Sequence, residues 1–155
     1  MRWLAQAAAA VLLAASAQEN QAPAIRVDPP ACGSAARRLR VCAYVVDETG
    51  IAQVRLNFRA GGGRAYHWTP MAFDGALYCA WLPAPLSETR TVEYYVEAVD
   101  DQFEPSRTAD ETLPIRPECP GSAPDPAQPP AIVGTTVLKQ PALPAGFDPA
   151  TITVR

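Results

Sequence analysis

The sequence predicts an all-β protein in which two antiparallel sheets pack face to face. Three observations lead to this prediction. Apolar and polar residues alternate with a period of two through most of residues 38–119, which is the spacing of a half-buried strand. Turn-forming residues recur about every ten residues, as in β-sandwiches. No stretch of useful length carries the spacing of an amphipathic helix, so each sheet must bury its apolar face against the other.

Turn-forming residues divide this region into short strands. Asp47 and Gly50 close the second strand, because an Asp side chain can accept hydrogen bonds from the backbone that follows it and Gly tolerates a positive φ. Three consecutive glycines at 61–63 predict a hairpin, and Asp74 followed by Gly75 predicts another tight turn. The predicted strands are 24–28, 39–46, 51–59, 65–70, 76–82, 91–99 and 107–115.

The first 17 residues have the pattern of a bacterial signal peptide. Arg2 precedes a short apolar run, and Ala15, Ser16 and Ala17 form the small-x-small motif that signal peptidase cleaves. That run is too short to anchor the chain in a bilayer, so we expect no transmembrane segment after cleavage. The sequence therefore predicts a protein exported to the periplasm or the extracellular space.

Shifts in composition predict five segments along the chain. The whole chain has 17 prolines, five of them within residues 120–130, which is the composition of a linker. The predicted segments are a signal peptide (1–17), a lead-in that holds the first strand (18–37), a β-sandwich (38–119), a Pro-rich linker (120–130) and an extended tail (131–155).

Charge and motif content exclude several classes of function. The formal net charge is −3 and no basic stripe is present, so we expect no nucleic-acid partner. A single His, no P-loop and no G-x-G-x-x-G motif argue against nucleotide enzymes and His-based active sites. No nucleophile-elbow motif positions a Ser near His67, and His67 is expected to face solvent on an edge strand. We therefore expect a non-enzymatic protein without cofactors.

The pattern of residues within 38–116 resembles bacterial immunoglobulin-like and fibronectin type III-like modules. The resemblance rests on Ala-Tyr-Val-Val-Asp at 43–47, Gly-Ile at 50–51, Val-Arg-Leu at 54–56, Tyr-Cys-Ala at 78–80 and Val-Glu-Tyr-Tyr-Val-Glu-Ala-Val-Asp at 92–100. It implies a seven-stranded sandwich in which strands one, two and five form one sheet and the other four form the second. The four cysteines and Trp81 depart from the usual pattern. Such modules serve many roles, so the resemblance predicts a fold and not an activity.

An even number of cysteines in an exported chain predicts disulfide bonds. With the sheets that the resemblance implies, alternation places Cys42 and Cys79 on the outer face of neighbouring antiparallel strands, where they can be bridged. Cys32 and Cys119 then lie at the same end of the sandwich. We therefore expect the bonds Cys42–Cys79 and Cys32–Cys119. A zinc site is a poor alternative because no C-x-x-C pair is present.

Carboxylates are expected to gather at one end of the sandwich. The loops that meet there carry Asp47, Asp100 and Asp101, and several carboxylate oxygens on flexible loops suit Ca²⁺. The chain has no spaced calcium-loop motif, however, and an Asp beside a Gly commonly caps its own turn. We favour self-capped turns and expect no metal.

An apolar patch is expected on the outer face of the sheet that holds strands one, two and five. Alternation turns Tyr44, Val46 and Trp81 outward there, beside the Cys42–Cys79 bridge. Such a patch commonly marks a covered or interacting surface. The favoured cover is the chain's own tail, 131–155, and the alternatives are a protein or glycan partner or a tolerated exposed patch. On the other sheet, the outward residues Arg55 and Arg59 oppose Glu93 and Glu97, which indicates a solvated face.

Three functions are consistent with these observations. The first is an exported, non-enzymatic module that serves as a spacer, an interaction domain or a surface-associated protein. The second is a carbohydrate-binding accessory module, suggested by the outward rings of Tyr44 and Trp81. The third is the N-terminal piece of a larger exported hydrolase, suggested by the strand-like sequence that ends at Arg155.

Overall fold

The structure is a computed structural model, and it describes residues 19–120, 131–132, 134–135 and 143–154. For residues 131–132 and 134–135 only the backbone is described. The described chain is built from β-strands with one short 3₁₀ turn at Pro149–Thr151, in agreement with the predicted fold class. The described residues contain no helix that is long and apolar enough to cross a membrane. The predicted signal peptide and nearly all of the predicted linker lie outside the described residues.

Two sheets make up the body of the molecule. The first has the order β1-β3-β7-β6, and the second has the order β12-β5-β4-β8-β10-β2, with β9 also paired to β8. Most pairs are antiparallel, whereas β2 runs parallel to β10 and a small separate sheet pairs β11 with β13 in parallel. The strands are β1 (Ala24–Val27), β2 (Gly33–Ser34), β3 (Leu39–Val46), β4 (Ile51–Ala60), β5 (His67–Pro70), β6 (Ala72–Phe73), β7 (Tyr78–Leu82), β8 (Thr91–Asp100), β9 (Pro105–Arg107), β10 (Glu111–Arg116), β11 (Ala131–Ile132), β12 (Gly134–Thr135) and β13 (Thr153–Val154).

The described strands outnumber the seven that were predicted. The last predicted strand, 107–115, is divided into β9 and β10, because residues 108–110 leave the regular ladder. Thr108 bridges the gap: its hydroxyl accepts a hydrogen bond from the backbone N–H of Val96, and its own N–H donates to the Val96 carbonyl. The other additions are two-residue strands at sheet edges, which are too short to leave a periodic signal in the sequence.

The core lies between the two sheets and follows the predicted alternation. On β3, the side chains of Leu39, Val41, Ala43 and Val45 are buried, while those of Arg40, Tyr44 and Val46 are exposed. The residues that alternation on β4 and β8 turns inward are also buried, and the most deeply buried of them are Leu56, Phe58, Val92, Tyr94, Val96 and Ala98. A one-residue slip on either strand would turn this set to solvent, so burial of one face fixes the register.

The predicted extended tail contributes to this core at its described residues. Phe147 is 2% exposed and packs edge-on against Phe58, with the ring centroids 5.3 Å apart. Gly146 permits this close approach, because its φ is +83° and a Cβ there would lie 2.6 Å from the Cβ of Ala60. Backbone hydrogen bonds of 2.9 and 2.8 Å to the chain at 84–86 hold both sides of Phe147. Residues 143–154 therefore close one end of the sandwich.

Two disulfides cross-link the molecule, and they are the two pairs that were predicted. Cys42 and Cys79 are direct partners across β3 and β7, with their Cα atoms 4.1 Å apart. Cys32 and Cys119 lie 87 residues apart in sequence and 5.8 Å apart between Cα atoms. In the chain-entropy model, a bridge that closes a loop of this length stabilises the fold by roughly 4–5 kcal/mol. This is a large contribution for a domain of this size.

Candidate functional site

The outer face of the first sheet carries the predicted apolar patch, which we call the first face. Tyr44 is 51% exposed and Val46 is 42% exposed, while Trp81 is partly exposed. Cys42 and Cys79 form the disulfide between the rows of Tyr44 and Trp81. Since each of these residues alternates with a buried one on its strand, the sheet itself holds the side chains outward.

A shallow groove of about 550 Å³ runs along the first face. Its apolar lining comes from Tyr44, Leu77 and Cys42, and its charged lining comes from Arg26 and Asp28 on the edge of the sheet. Arg26 lies directly opposite Tyr44 across β1 and β3. An aromatic ring beside a guanidinium and a carboxylate can combine apolar contact with directed hydrogen bonds.

The outer face of the second sheet, which we call the second face, is also aromatic, but each of three rings has a guanidinium over it, while Tyr66 and Trp68 stay partly exposed. The guanidinium of Arg55 lies 4.3 Å from the ring centre of Trp68, and that of Arg59 lies 4.3 Å from the ring centre of Tyr66. Arg107 lies 3.8 Å over the ring of Tyr95, which is only 7% exposed. Each contact is a cation–π interaction, so these rings are engaged within the protein.

Ion pairs and hydrogen bonds complete the network on the second face. Arg59 donates from Nε to Glu93 at 2.6 Å, as the cross-strand charges predicted. The hydroxyl of Tyr66 donates to Asp110 at 2.9 Å, and Arg107 also bonds to Asp110. Burial and the hydrogen bond to Asp110 raise the pKa of Tyr66 to about 12. Tyr66 therefore stays protonated and holds its donor role at every physiological pH.

The charges of Arg55, Arg59 and their opposing glutamates predicted a solvated second face, and its aromatic network was not predicted. A signal was nevertheless present, because Tyr66 and Trp68 are two residues apart on a predicted strand and therefore share a face. The register then places Trp68 and Tyr95 on either side of Asn57.

The acidic end of the molecule uses its carboxylates to cap turns. Asp47 accepts hydrogen bonds from the backbone N–H and the hydroxyl of Thr49, at 2.8 and 2.6 Å. Asp100 is fully buried and accepts from Asn20 at 2.5 Å and from two backbone N–H groups at 2.8 and 2.7 Å. Burial raises the pKa of Asp100, but these three hydrogen bonds lower it by a larger amount. The pKa of Asp100 therefore lies below its ordinary value. Asp101 lies against Gly50 in the neighbouring turn.

The weak calcium candidate formed by Asp47, Asp100 and Asp101 does not assemble as a ligand set. Within the described ranges, no three His, Cys, Asp or Glu side chains come together in a way that could hold a metal ion. Asp47 and one oxygen of Asp100 accept hydrogen bonds from their own turns, as the favoured interpretation of self-capping predicts, while the other oxygen of Asp100 accepts from Asn20.

The tail does not cover the first face in its described part, which corrects the favoured prediction. Residues 143–154 pack at the end of the sandwich through Phe147, and β12 pairs with β5 at the edge of the second sheet. Leu143, an apolar residue of the tail, is 53% exposed. The prolines and the lack of periodicity in the tail gave no guide to which surface it would meet. Residues 133 and 136–142 of the tail lie outside the described residues, so for them the docking prediction stays a prediction.

The expected position of His67 was also wrong. His67 is 6% exposed and faces inward, with its ring centre 6.2 Å from that of Phe58. The prediction assumed that β5 was an edge strand. In the structure His67 lies opposite the buried Phe58 across β4 and β5, so it shares the core-facing side of the sheet, and β12 also covers the edge of β5.

Comparisons with known proteins do not place the chain in a family. No family model matches the sequence, and no curated protein matches it. Among solved structures, a crystal structure of an engineered protein is similar over 61% of this chain and 20% of that chain, at 21% identity and a TM-score of 0.47. The chain thus spans about a fifth of that protein's length, and a likeness of this size carries no argument about function.

Proposed function

We propose that the chain is an exported, immunoglobulin-like or fibronectin type III-like module that binds another molecule through the first face and catalyses no reaction. Two disulfides support export, because such bonds persist in oxidising compartments. The sheet partners of β3, β4, β7 and β8 support the family, since they group as the resemblance implies.

A single contrast between the two outer faces carries the proposal. On the second face, a guanidinium covers each of the rings of Trp68, Tyr66 and Tyr95. On the first face, Tyr44 and Val46 are about half exposed beside a groove, and no ring or cation contact to Tyr44 occurs within the described part of the chain. An exposed apolar patch with a charged rim is typical of an interaction site.

A carbohydrate ligand is the second candidate for the same face. It is favoured by the composition of the groove, in which the ring of Tyr44 lies beside Arg26 and Asp28. An aromatic ring can stack on the apolar face of a sugar, while a guanidinium and a carboxylate bind its hydroxyl groups. A protein partner would use the same apolar contacts with less dependence on Asp28.

The test compares binding by the first face with binding by a matched surface. Wild-type protein, a Tyr44→Ser/Val46→Ser variant and a Phe73→Ser control are immobilised and exposed separately to bacterial surface polysaccharides and to the producing cells' exported proteins. Phe73 suits the control because it is 59% exposed and lies opposite Tyr78, which packs against the core, so it is turned away from the first face. We expect the double variant to lose at least about tenfold in affinity, the scale of unburying one or two apolar side chains, and the control to bind like wild type.

The probe that is retained decides the class of ligand. Retention of a polysaccharide, with further loss in Asp28→Asn, supports the carbohydrate candidate. Retention of an exported protein with the same dependence on Tyr44 supports the protein candidate. Equal binding by wild type and the double variant, or no retention from either source, contradicts the proposal.

A further inference from the structure

The turn between β8 and β9 projects one aromatic side chain into solvent. Phe103 is 82% exposed, more than any other large apolar side chain that the structure describes. Its backbone has a φ of +67°, in the left-handed region that a bulky residue rarely occupies. A single exposed apolar residue is ordinary, but one that is held outward at a conformational cost calls for an explanation.

Hydrogen bonds fix the position of this turn. Asp100 accepts from the backbone N–H groups of Gln102 and Glu104, and Asn20 donates to its other oxygen. The backbone of Phe103 itself donates to the carbonyl of Asp100 at 3.1 Å. The ring is therefore displayed on a rigid support, which lowers the entropic cost of any contact that it makes.

The surroundings of Phe103 are uniformly acidic. The three segments that meet at this end, 19–22, 47–50 and 100–105, contain six carboxylates, of which Asp100 is buried, and no Lys or Arg. Their proximity follows from the Asn20–Asp100 hydrogen bond and from the backbone bond between Asp101 and Gly50. A partner for Phe103 must therefore offer an apolar pocket with a basic rim.

The opposite end of the same molecule has such a pocket. β4 and β8 are antiparallel, with Ile51 opposite Asp100 at one end and Ala60 opposite Val92 at the other, so the chain after Ala60 lies far from Phe103. A depression of about 310 Å³ is present there. Its apolar lining includes Ala60, Ala65, Leu143 and Pro144, and its rim carries Arg64 together with Arg59, which is already paired with Glu93.

Two side chains of this pocket are accessible among the described residues. Leu143 is 53% exposed, so its apolar side chain is only partly covered by the described protein. Arg64 is exposed, and no salt bridge to it occurs among the described residues. A positive, apolar depression at one end thus complements a negative, aromatic projection at the other.

We propose that a second copy of this chain occupies the pocket, with Phe103 of one copy inserted between Leu143 and Arg64 of the next. The contact joins two different surfaces of the molecule, so it is heterologous. Repeated contacts of this kind build open linear oligomers and not closed two-fold dimers. It leaves the first face free and does not depend on the proposed function. Because the contact is small, it is weak, with a Kd of about 0.1–1 mM.

Sedimentation of the exported chain tests the proposal. We expect the average mass to rise with concentration up to about 1 mM, and to rise less at high salt because the charge attraction is screened. Phe103→Ser should weaken association at least about tenfold, the scale of unburying one Phe side chain. The Phe73→Ser control should associate like wild type. Circular dichroism of each variant verifies that the fold is retained.

A mixing experiment identifies the two surfaces directly. One variant, Phe103→Ser, lacks the projecting ring. The other, Arg64→Glu/Leu143→Ser, lacks the pocket. Each variant alone should therefore be monomeric. A 1:1 mixture should form dimers and nothing larger, because each pair retains one intact Phe103 and one intact pocket. A monomeric wild-type protein at about 1 mM, undiminished association of Phe103→Ser, or a monomeric mixture overturns the proposal.

Discussion

At the scale of single residues, Asp100 illustrates why a buried carboxylate persists in this protein. Its oxygen atoms accept hydrogen bonds from Asn20 and from two backbone groups of its own turn. Those donors would be left unsatisfied in the core if the side chain were removed. Asp100 therefore links the lead-in segment to the β8–β9 turn and fixes the display of Phe103.

Asp100→Asn should reduce the sensitivity of the fold to acid. The pKa of Asp100 in the folded protein lies below its ordinary value of 3.8, since hydrogen bonds to the carboxylate outweigh the effect of burial. A carboxyl whose pKa is lowered by folding stabilises the fold at pH values above its ordinary pKa. This stabilisation is lost as the pH falls through the pKa of the folded protein. Between pH 5 and about 2 we therefore expect the Tm of wild type to fall more than the Tm of Asp100→Asn.

Thermal unfolding followed by circular dichroism measures this difference. Asp101→Asn is the matched control, because it changes the neighbouring carboxylate in the same turn, and its Tm should follow that of wild type. Parallel pH profiles for Asp100→Asn and wild type would show that the carboxylate does not provide the stabilisation argued here.

At the scale of elements, the strands that bury one face were predictable and the tail was not. The bounds of β3 match the prediction at both ends, because a strict alternation separates its buried and exposed residues. Phe147 lies in a stretch broken by prolines, where nothing periodic marks a buried residue. Its burial depends on the chain at 84–86 and on Phe58, which are distant in sequence.

The candidate site also has one part that the sequence predicts and one part that it does not. Alternation along one strand was sufficient to place Tyr44 and Val46 on the outer face. Arg55 on β4 lies over the ring of Trp68 on β5. This contact depends on the alignment of three strands, because β4 pairs with β5 on one side and with β8 on the other. Local patterns do not specify such alignments, so the contrast between the two faces emerged only from the structure.

Phe147→Ala should destabilise the sandwich by about 3–5 kcal/mol, the usual loss for removing a buried aromatic ring. The ring is 2% exposed and fills the end of the core beside Phe58. Leu143→Ala, in the same segment but 53% exposed, is the control and should change stability by no more than about 0.5 kcal/mol. Urea unfolding measures both values. A loss below about 1 kcal/mol for Phe147→Ala would mean that the tail is not part of the cooperative core.

At the scale of the whole molecule, the two sheets have different outer surfaces. The second face holds its rings and charges in an internal network that ends at Asp110 and Glu93. The first face holds a disulfide, a groove and half-exposed apolar side chains. A sandwich with one engaged face and one open face can bind through the open face while the rest of the surface stays solvated.

The central claim is that the first face is the binding surface, and site-specific photocrosslinking in the producing cells tests it most directly. A photoreactive residue is placed at Val46 on the first face or at Thr112, which is exposed on β10 of the second sheet. The account predicts a discrete adduct from position 46 and none from position 112, with Tyr44→Ser abolishing the adduct. An adduct from position 112 alone, or none from position 46, would contradict it.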